Sequence, residues 1–494
     1  MPIYLTFDIG TTALKTALID GEGRAMAVHT EEYTFEAPRP DWAEMRPQTY
    51  WDAAVAGTRA VFASSGASPT EMTAIGFSSQ GQTFLPIDRS GRALRSAIVW
   101  VDNRAQDIAD AWERDWLSRD EYRRISGYPW LPAALTVFKL AWLAANEPKA
   151  LAAWKFVCLP DYLIYRMTGE VVTDYVTAQS TGIFDLQTDS WEPRLLAAAG
   201  IGAEQLPRVV KPGTVAGRLR ADAAAELGVP AGAYVCAGTN DQLAGALGAG
   251  NAMPGIVSET TGTALALVAT TSYLLDDKRI TVGHHAVEGA FLALSFTITS
   301  AIVLKWFRDM CAPAEDYDTF LAGVESIAPG CDGLTVLPHF AGTAAPTFNP
   351  SARGAFAGLA LGHTRAHIAR AIMEACSCSL VECIEPIIDH GLHIGRVRSL
   401  GGAAKSDIWL QMKSDMLGVP VERPACSDAA SVGAAVLAAA GTGAFASVQQ
   451  ASQAWYRPER VFEPDQSLYE RYREVYQRYL DLYGRLYGPV RSIE

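Results

Sequence analysis

Leu5, Phe7 and Ile9 alternate with Thr6, Asp8 and Gly10, the period-two pattern of a strand with one apolar face. The alternation breaks at Gly10-Thr11-Thr12 and resumes through "ALKTALID" to Asp20-Gly21. "DGEG" (20 to 23) and "DRSG" (88 to 91) sit between β-rich runs, as hairpin turns do. Trp51, Val55, Val61 and Phe62 fall at helical spacing in a segment that stops on Gly66, so a helix is predicted over 46 to 66.

Residues 105 to 230 read as largely helical and loop-rich, and 233 to 250 as strand, loop, helix. "GIVSETTGTALALVAT" (255 to 270) repeats the opening theme of strand, Gly/Thr turn, strand, which hints at duplication. "VRSLGGAAKSDIWLQMKSDMLGVPV" (397 to 421) gives strand, glycine turn, helix, and "DAASVGAAVLAAAGTG" (428 to 443) a small-residue helix able to approach a sheet closely. In the last segment Ser467 and Glu470 have capping-box spacing. Its tyrosines at 469, 472, 476, 479, 483 and 487 recur every three or four residues, which predicts a helix packed on the protein's own body.

A chain of 494 residues exceeds what one core usually organises, so two domains are expected. The net charge of −13, with no long basic run, argues against nucleic acid as a partner. An anionic ligand would need local help from a metal, a lysine or backbone amides. The eight cysteines show no C-x-x-C pair and no disulfide framework, which fits a reducing cytoplasm. No basic leader and no apolar run of about 18 residues is found, so no membrane partner is expected.

Asp8 would share a face with the Gly10-Thr11-Thr12 turn. Such a turn can form an anion-binding nest, with hydroxyls as added donors, a carboxylate to hold Mg²⁺ through water, and Lys15 for charge; an ordinary hairpin with an Asx turn is the alternative. Asp241 lies between an apolar strand and a helix, where it reads either as a helix cap or as a general base for a hydroxyl. Gly401-Gly402 opens a helix and admits either a flat purine or a plain strand-to-helix corner. A P-loop is excluded, because its glycines would have to stand where Ser399 and Ala404 are. Gly76-Phe77-Ser78-Ser79-Gln80 lacks the last glycine of a nucleophile elbow, and His363 with His367 lacks the glutamate of a zinc helix.

Taken in order, "FDIGTTALKTALID", "GFSSQGQTFLPID" with "AIVWVDNRA", "AGTNDQLAGALGAG", "ETTGTALAL" and "LGGAAKSDIWLQMKSDMLG" with "DAASVGAAVLAAAGTG" resemble the FGGY family of carbohydrate kinases over residues 3 to 443. The resemblance implies an α/β fold of two ribonuclease H-like, actin-type lobes, 1–247 and 248–494, with ATP, Mg²⁺ and a sugar or polyol in the cleft between them. Carried over by position, Asp8, Gly10, Thr11, Thr12 and Lys15 match the first phosphate loop, Asp8 being the metal residue, and Gly262 with Thr263 match the second. Gly401, Gly402 and Ser406 match the turn that contacts adenosine, and Asp241 the catalytic base.

The tracts "SSQGQ", "WVDNR" and "LPDYLIYRMTGE" are most similar to the xylulokinase branch, which implies D-xylulose as acceptor. Gln80, Gly81, Gln82, Trp100, Asp102, Asp241 and Gln242 are then the expected substrate-binding residues. Gly81-Gln82 stands where that branch has Met-His, which leaves another ketose, a polyol or glycerol as alternatives. Ala403 replaces a third glycine. A homodimer is held open as the assembly, and a non-enzymatic nucleotide switch of actin type as the rival function.

Overall fold

The computed structural model describes residues 2–426 and 428–488. The outer ends of the expected lobes, residue 1 and residues 489–494, lie outside the described residues.

Strands Ile3–Ile9, Ala13–Asp20 and Ala25–Glu32 form an antiparallel meander. Strand Met72–Ser79 is added parallel to the first, Tyr234–Cys236 parallel to that, and Val215–Arg218 closes the edge. The second sheet repeats this wiring. Ile256–Thr261, Leu265–Thr271 and Phe291–Thr297 form the meander, Arg396–Leu400 and Val421–Pro424 add in parallel, and Pro458–Phe462 closes that edge. Meander plus parallel strands, twice over, is the pair of ribonuclease H-like lobes that the resemblance implied, and it gives the repeated Gly/Thr hairpin a structural meaning.

Alternation along the first strand decides what covers each face. Ile3, Leu5, Phe7 and Ile9 bury into a core with Trp51 and Val61 of helix Pro47–Ser65, which ends on Gly66 in the left-handed conformation. Tyr4 points the other way and packs with Val432, Ala435 and Val436 of helix Ala429–Gly441. That helix belongs to the far end of the chain yet covers the N-terminal sheet. Its small residues permit the approach: a Cβ on Gly76 would meet the Ala434 carbonyl at 2.4 Å, and one on Gly433 would meet the Ala244 carbonyl at 1.8 Å. Asp8 is on this same face, at the N-terminal end of the covering helix.

Between the lobes' strands, residues 106–199 supply seven short helices with small strands among them. The final helix, Gln466–Tyr487, buries Tyr472, Tyr479 and Tyr483 against the body of the protein. Its cap differs from the sequence expectation. Asp465 accepts from the Ser467 amide at 2.9 Å, so the cap lies two residues before Ser467 and the helix starts at Gln466. No helix among the described residues is long and apolar enough to cross a membrane.

Candidate active site

The first hairpin turn is closed by Gly10 N donating to Ala13 O, 2.9 Å, and the second by Gly262 N donating to Ala264 O, also 2.9 Å. Among the described residues, the amides of Thr11 and Thr12 donate to no protein acceptor, and Thr12 and Thr263 are exposed. The turns therefore hold donors ready for an anion, as a nest requires. Gly401, at φ 81°, brings the third turn against the second, because a Cβ there would meet the Thr261 carbonyl at 2.9 Å. Gly402 beside it is exposed. Ser406 is otherwise engaged: it caps helix Asp407–Leu417 by accepting from the Trp409 amide.

Asp8 sits opposite Lys15 and Ser78 in the register, and Ser78 Oγ donates to its Oδ1 at 2.7 Å. Burial raises the Asp8 carboxyl, and the nearby Asp428 charge adds to the rise. The Lys15 ammonium is already paired, with Asp428 Oδ1 at 3.2 Å. The sequence suggested a free phosphate contact there; the partner comes from a segment more than 400 residues away and gives no local signal.

Asp241 reaches the cleft by strand register. Ser79 pairs with Asn240 in parallel strands, so Gln80 and Asp241 leave the sheet side by side. The cap of helix Asp241–Gly248 is Asn240, whose side chain accepts from the Gln242 amide at 3.0 Å. Asp241 is thus not needed as the cap. Burial and the Asp8 charge push its carboxyl up to about 7, against the pull of the Gln242 amide.

A cavity of about 260 Å³ brings together Asp8, Gly10, Lys15, Asp241, Gln242 and Gly401, and Asp428 lines it with them. Residues from both sheets line it.

A hydrogen-bonded chain ties Trp100 and Gln80 to the first turn. Trp100 Nε1 donates to Thr11 Oγ1 (2.8 Å), Thr11 Oγ1 donates to Gln80 Oε1 (3.2 Å), and Gln80 Nε2 donates to Gly10 O (3.0 Å). Trp100 remains 39% exposed. Gln82 adopts φ 60°, held by its amide donating to Ser180 Oγ and by Thr136 Oγ1 donating to its carbonyl. Among the described residues its side-chain amide makes only a long 3.5 Å contact with the Tyr128 hydroxyl, so most of its hydrogen-bonding capacity is free there. Gly81 abuts Ser180 and Asn240, where a Cβ would come within 3.1 Å of each.

Asp102 departs from its expected role. It is fully buried, and its oxygens accept from the Ala43 amide, the Arg104 amide and the Arg104 guanidinium. It shapes the loop carrying Trp100 rather than presenting a carboxylate to a sugar. Sequence reasoning also passed over Lys139, which is fully buried and donates to the carbonyls of Val99 (2.9 Å) and Trp100 (3.1 Å).

Two Gly/Thr turns, a third turn against the second, and a carboxylate lining the same cavity fit an ATP-dependent phosphotransferase with an alcohol as acceptor. Models of the N-terminal and C-terminal domains of the FGGY family of carbohydrate kinases match residues 3–248 and 256–442. A xylulose kinase of Bacillus subtilis is 28% identical over 96% of this chain and 95% of its own. A glycerol kinase of Methylibium petroleiphilum is 31% identical over 94% and 95%. The crystal structure of xylulose kinase from Rhodospirillum rubrum superposes with a TM-score of 0.90 at 29% identity, covering 98% of both chains. The chain belongs to the FGGY family of carbohydrate kinases.

Proposed function

We propose that the protein transfers the γ-phosphoryl group of ATP to a hydroxyl of a neutral five-carbon ketose, D-xylulose, giving D-xylulose 5-phosphate. The observation that carries this reading is the uncharged character of the side chains around Gln82, two residues on from the Gln80 that leaves the sheet beside Asp241: Tyr128 and Ser180 contact it, and Trp100 hydrogen-bonds the first turn. The cations described around the site are engaged within the protein, since Lys139 serves backbone carbonyls, Arg104 serves Asp102 and Glu44, and Lys15 pairs with Asp428. A wall of hydrogen-bonding side chains discriminates by hydroxyl pattern, because a missing hydroxyl leaves buried polar groups unpaired. The xylulose kinases among its relatives support the same acceptor.

Asp241 accepts the hydroxyl proton as that oxygen attacks phosphorus, and a carboxyl near 7 suits proton uptake at neutral pH. The phosphoryl transition state is loose, so the chain contributes mainly by positioning: turn amides around Thr11 and Thr12 for the phosphates, Gln82 and Trp100 for the sugar. Asp8 fits a Mg²⁺ ion held through water, because its Oδ2 makes no hydrogen bond among the described residues. When bound, Mg²⁺ would neutralise charge on the phosphates. Eight unpaired cysteines support a cytoplasmic setting.

The test is ADP release measured over D-xylulose, other ketopentoses, ketohexoses, pentitols and glycerol. D-xylulose should give the highest kcat/KM. Turnover of glycerol or a pentitol with D-xylulose inert would overturn the substrate, and hydrolysis indifferent to every sugar would restore the nucleotide-switch reading.

A further inference from the structure

Asp428 has no part in the site as the sequence outlined it. It is only 6% exposed and lines the cavity that holds Asp8 and Asp241. Its Oδ1 accepts from Lys15, while its Oδ2 is buried with no hydrogen-bond partner among the described residues. Helix capping does not account for it, since helix Ala429–Gly441 receives no side-chain cap bond from Asp428. A buried carboxylate oxygen left unpaired carries its full desolvation cost, and such groups call for a specific explanation.

The charge balance of the cavity supplies one. Among the described residues lining it, three carboxylates, Asp8, Asp241 and Asp428, face a single ammonium, Lys15, and that ammonium is paired. A nucleoside triphosphate entering alone would meet excess negative charge; one entering with a divalent cation would not. Among the described residues no three Asp, Glu, His or Cys side chains converge closely enough to seat a bare ion. That suits magnesium, which keeps several waters and takes its other ligands from one or two carboxylates and the phosphates.

We infer that Asp428 is a further binding residue for the hydrated divalent cation that accompanies the nucleotide, acting through Oδ2, while Oδ1 positions Lys15 beside the first phosphate turn. The inference rests on the kinase reading of the cleft and adds to it a carboxylate from the C-terminal half of the chain. Asp8 and Asp428 then hold one hydrated ion from opposite ends of the sequence.

Binding of Mn²⁺ to the intact protein with ADP, followed by electron paramagnetic resonance, tests this without catalysis. Asp428→Asn keeps an oxygen for Lys15 but loses the charge, and should weaken Mn²⁺ binding in the ternary complex by about tenfold or more. Affinity for ADP in EDTA should hold or improve, because a negative charge has been removed. Asp428→Glu, which keeps a carboxylate, should bind Mn²⁺ more tightly than Asp428→Asn. Wild-type Mn²⁺ affinity in Asp428→Asn overturns the inference. So does equal loss of metal-free and metal-bound ADP, or failure of either variant to fold, because each assigns Asp428 to architecture alone. Wild-type protein that binds no ADP under any condition would instead sink the kinase reading itself.

Discussion

The indole Nε1 of Trp100 donates to the hydroxyl of Thr11 at 2.8 Å, joining the loop that carries Trp100 to the first turn. On the proposed reading of the site, one side chain then serves both substrates. Trp100→Phe removes that bond and keeps a ring, so kcat/KM should fall for ATP as well as for the sugar, by about two- to tenfold each. Initial-rate measurements with each substrate varied in turn check this. A tryptophan that only packed on the sugar would leave the ATP parameter unchanged.

The raised carboxyl of Asp241 makes two linked predictions of opposite benefit. As the base must be ionised, kcat/KM for the sugar should fall as pH drops below about 7 and level off above it. Between the unfolded value near 4 and the folded value near 7, the native state binds more protons than the unfolded one. Folding stability contributed by this residue therefore declines as pH rises through that window. Asp241→Asn should abolish turnover yet stabilise the protein at pH 8 by on the order of 2–4 kcal/mol, with the gain vanishing below about pH 4. Urea unfolding at several pH values measures it.

Lys139 titrates in the opposite sense. Burial lowers its ammonium to about 7, against the pull of Asp102, so between about 7 and 10.5 the unfolded chain binds more protons and stability rises with pH. Wild type should gain stability over Lys139→Met between pH 7 and pH 10, by at most about 1.4 kcal/mol per pH unit. Lys139→Met should also raise the sugar KM, because the carbonyl of Trp100 loses its donor.

Gly433 lies where helix Ala429–Gly441 crosses helix Asp241–Gly248. A methyl there would overlap the Ala244 carbonyl, which belongs to backbone and cannot swing aside. Gly433→Ala should cost about 1–3 kcal/mol or more in stability and lower kcat, since the yielding helix carries Asp241 at its start. Thermal unfolding and turnover number, measured together, show whether both change.

Local chemistry made much of this legible from the chain alone. The alternation of Leu5 to Gly10 places Asp8 on the face away from Phe7, and the Gly/Thr turns name themselves by composition. Asp241 was visible as an acidic residue between strand and helix, though only the structure frees it of capping by giving that work to Asn240. What stayed hidden depends on distant partners. Nothing near Lys15 forecasts Asp428, and nothing near Asp428 says that its helix lies on the other half's sheet. Asp102 illustrates the converse. Its partner Arg104 is two residues away, but a buried pair and an exposed one look alike in sequence.

Gln82 is the residue on which the proposed acceptor choice turns, and its backbone allows stability and function to be separated. At φ 60° it lies in the left-handed region, where a side chain costs about 1 kcal/mol and glycine nothing. Glycine in turn loses about 0.4–1 kcal/mol through the freedom it gains when unfolded. The two effects nearly cancel, so Gln82→Gly should leave the unfolding midpoint close to that of wild type. Its side-chain amide has only the long contact to Tyr128 among the described residues, and removing it should therefore be felt mainly by the ligand. The expected outcome is a fall in kcat/KM for the ketopentose of about two- to tenfold, with kcat/KM for ATP held. Full sugar activity in Gln82→Gly would remove the amide from the acceptor site and with it the reason to read the Gly81-Gln82 departure as a specificity device.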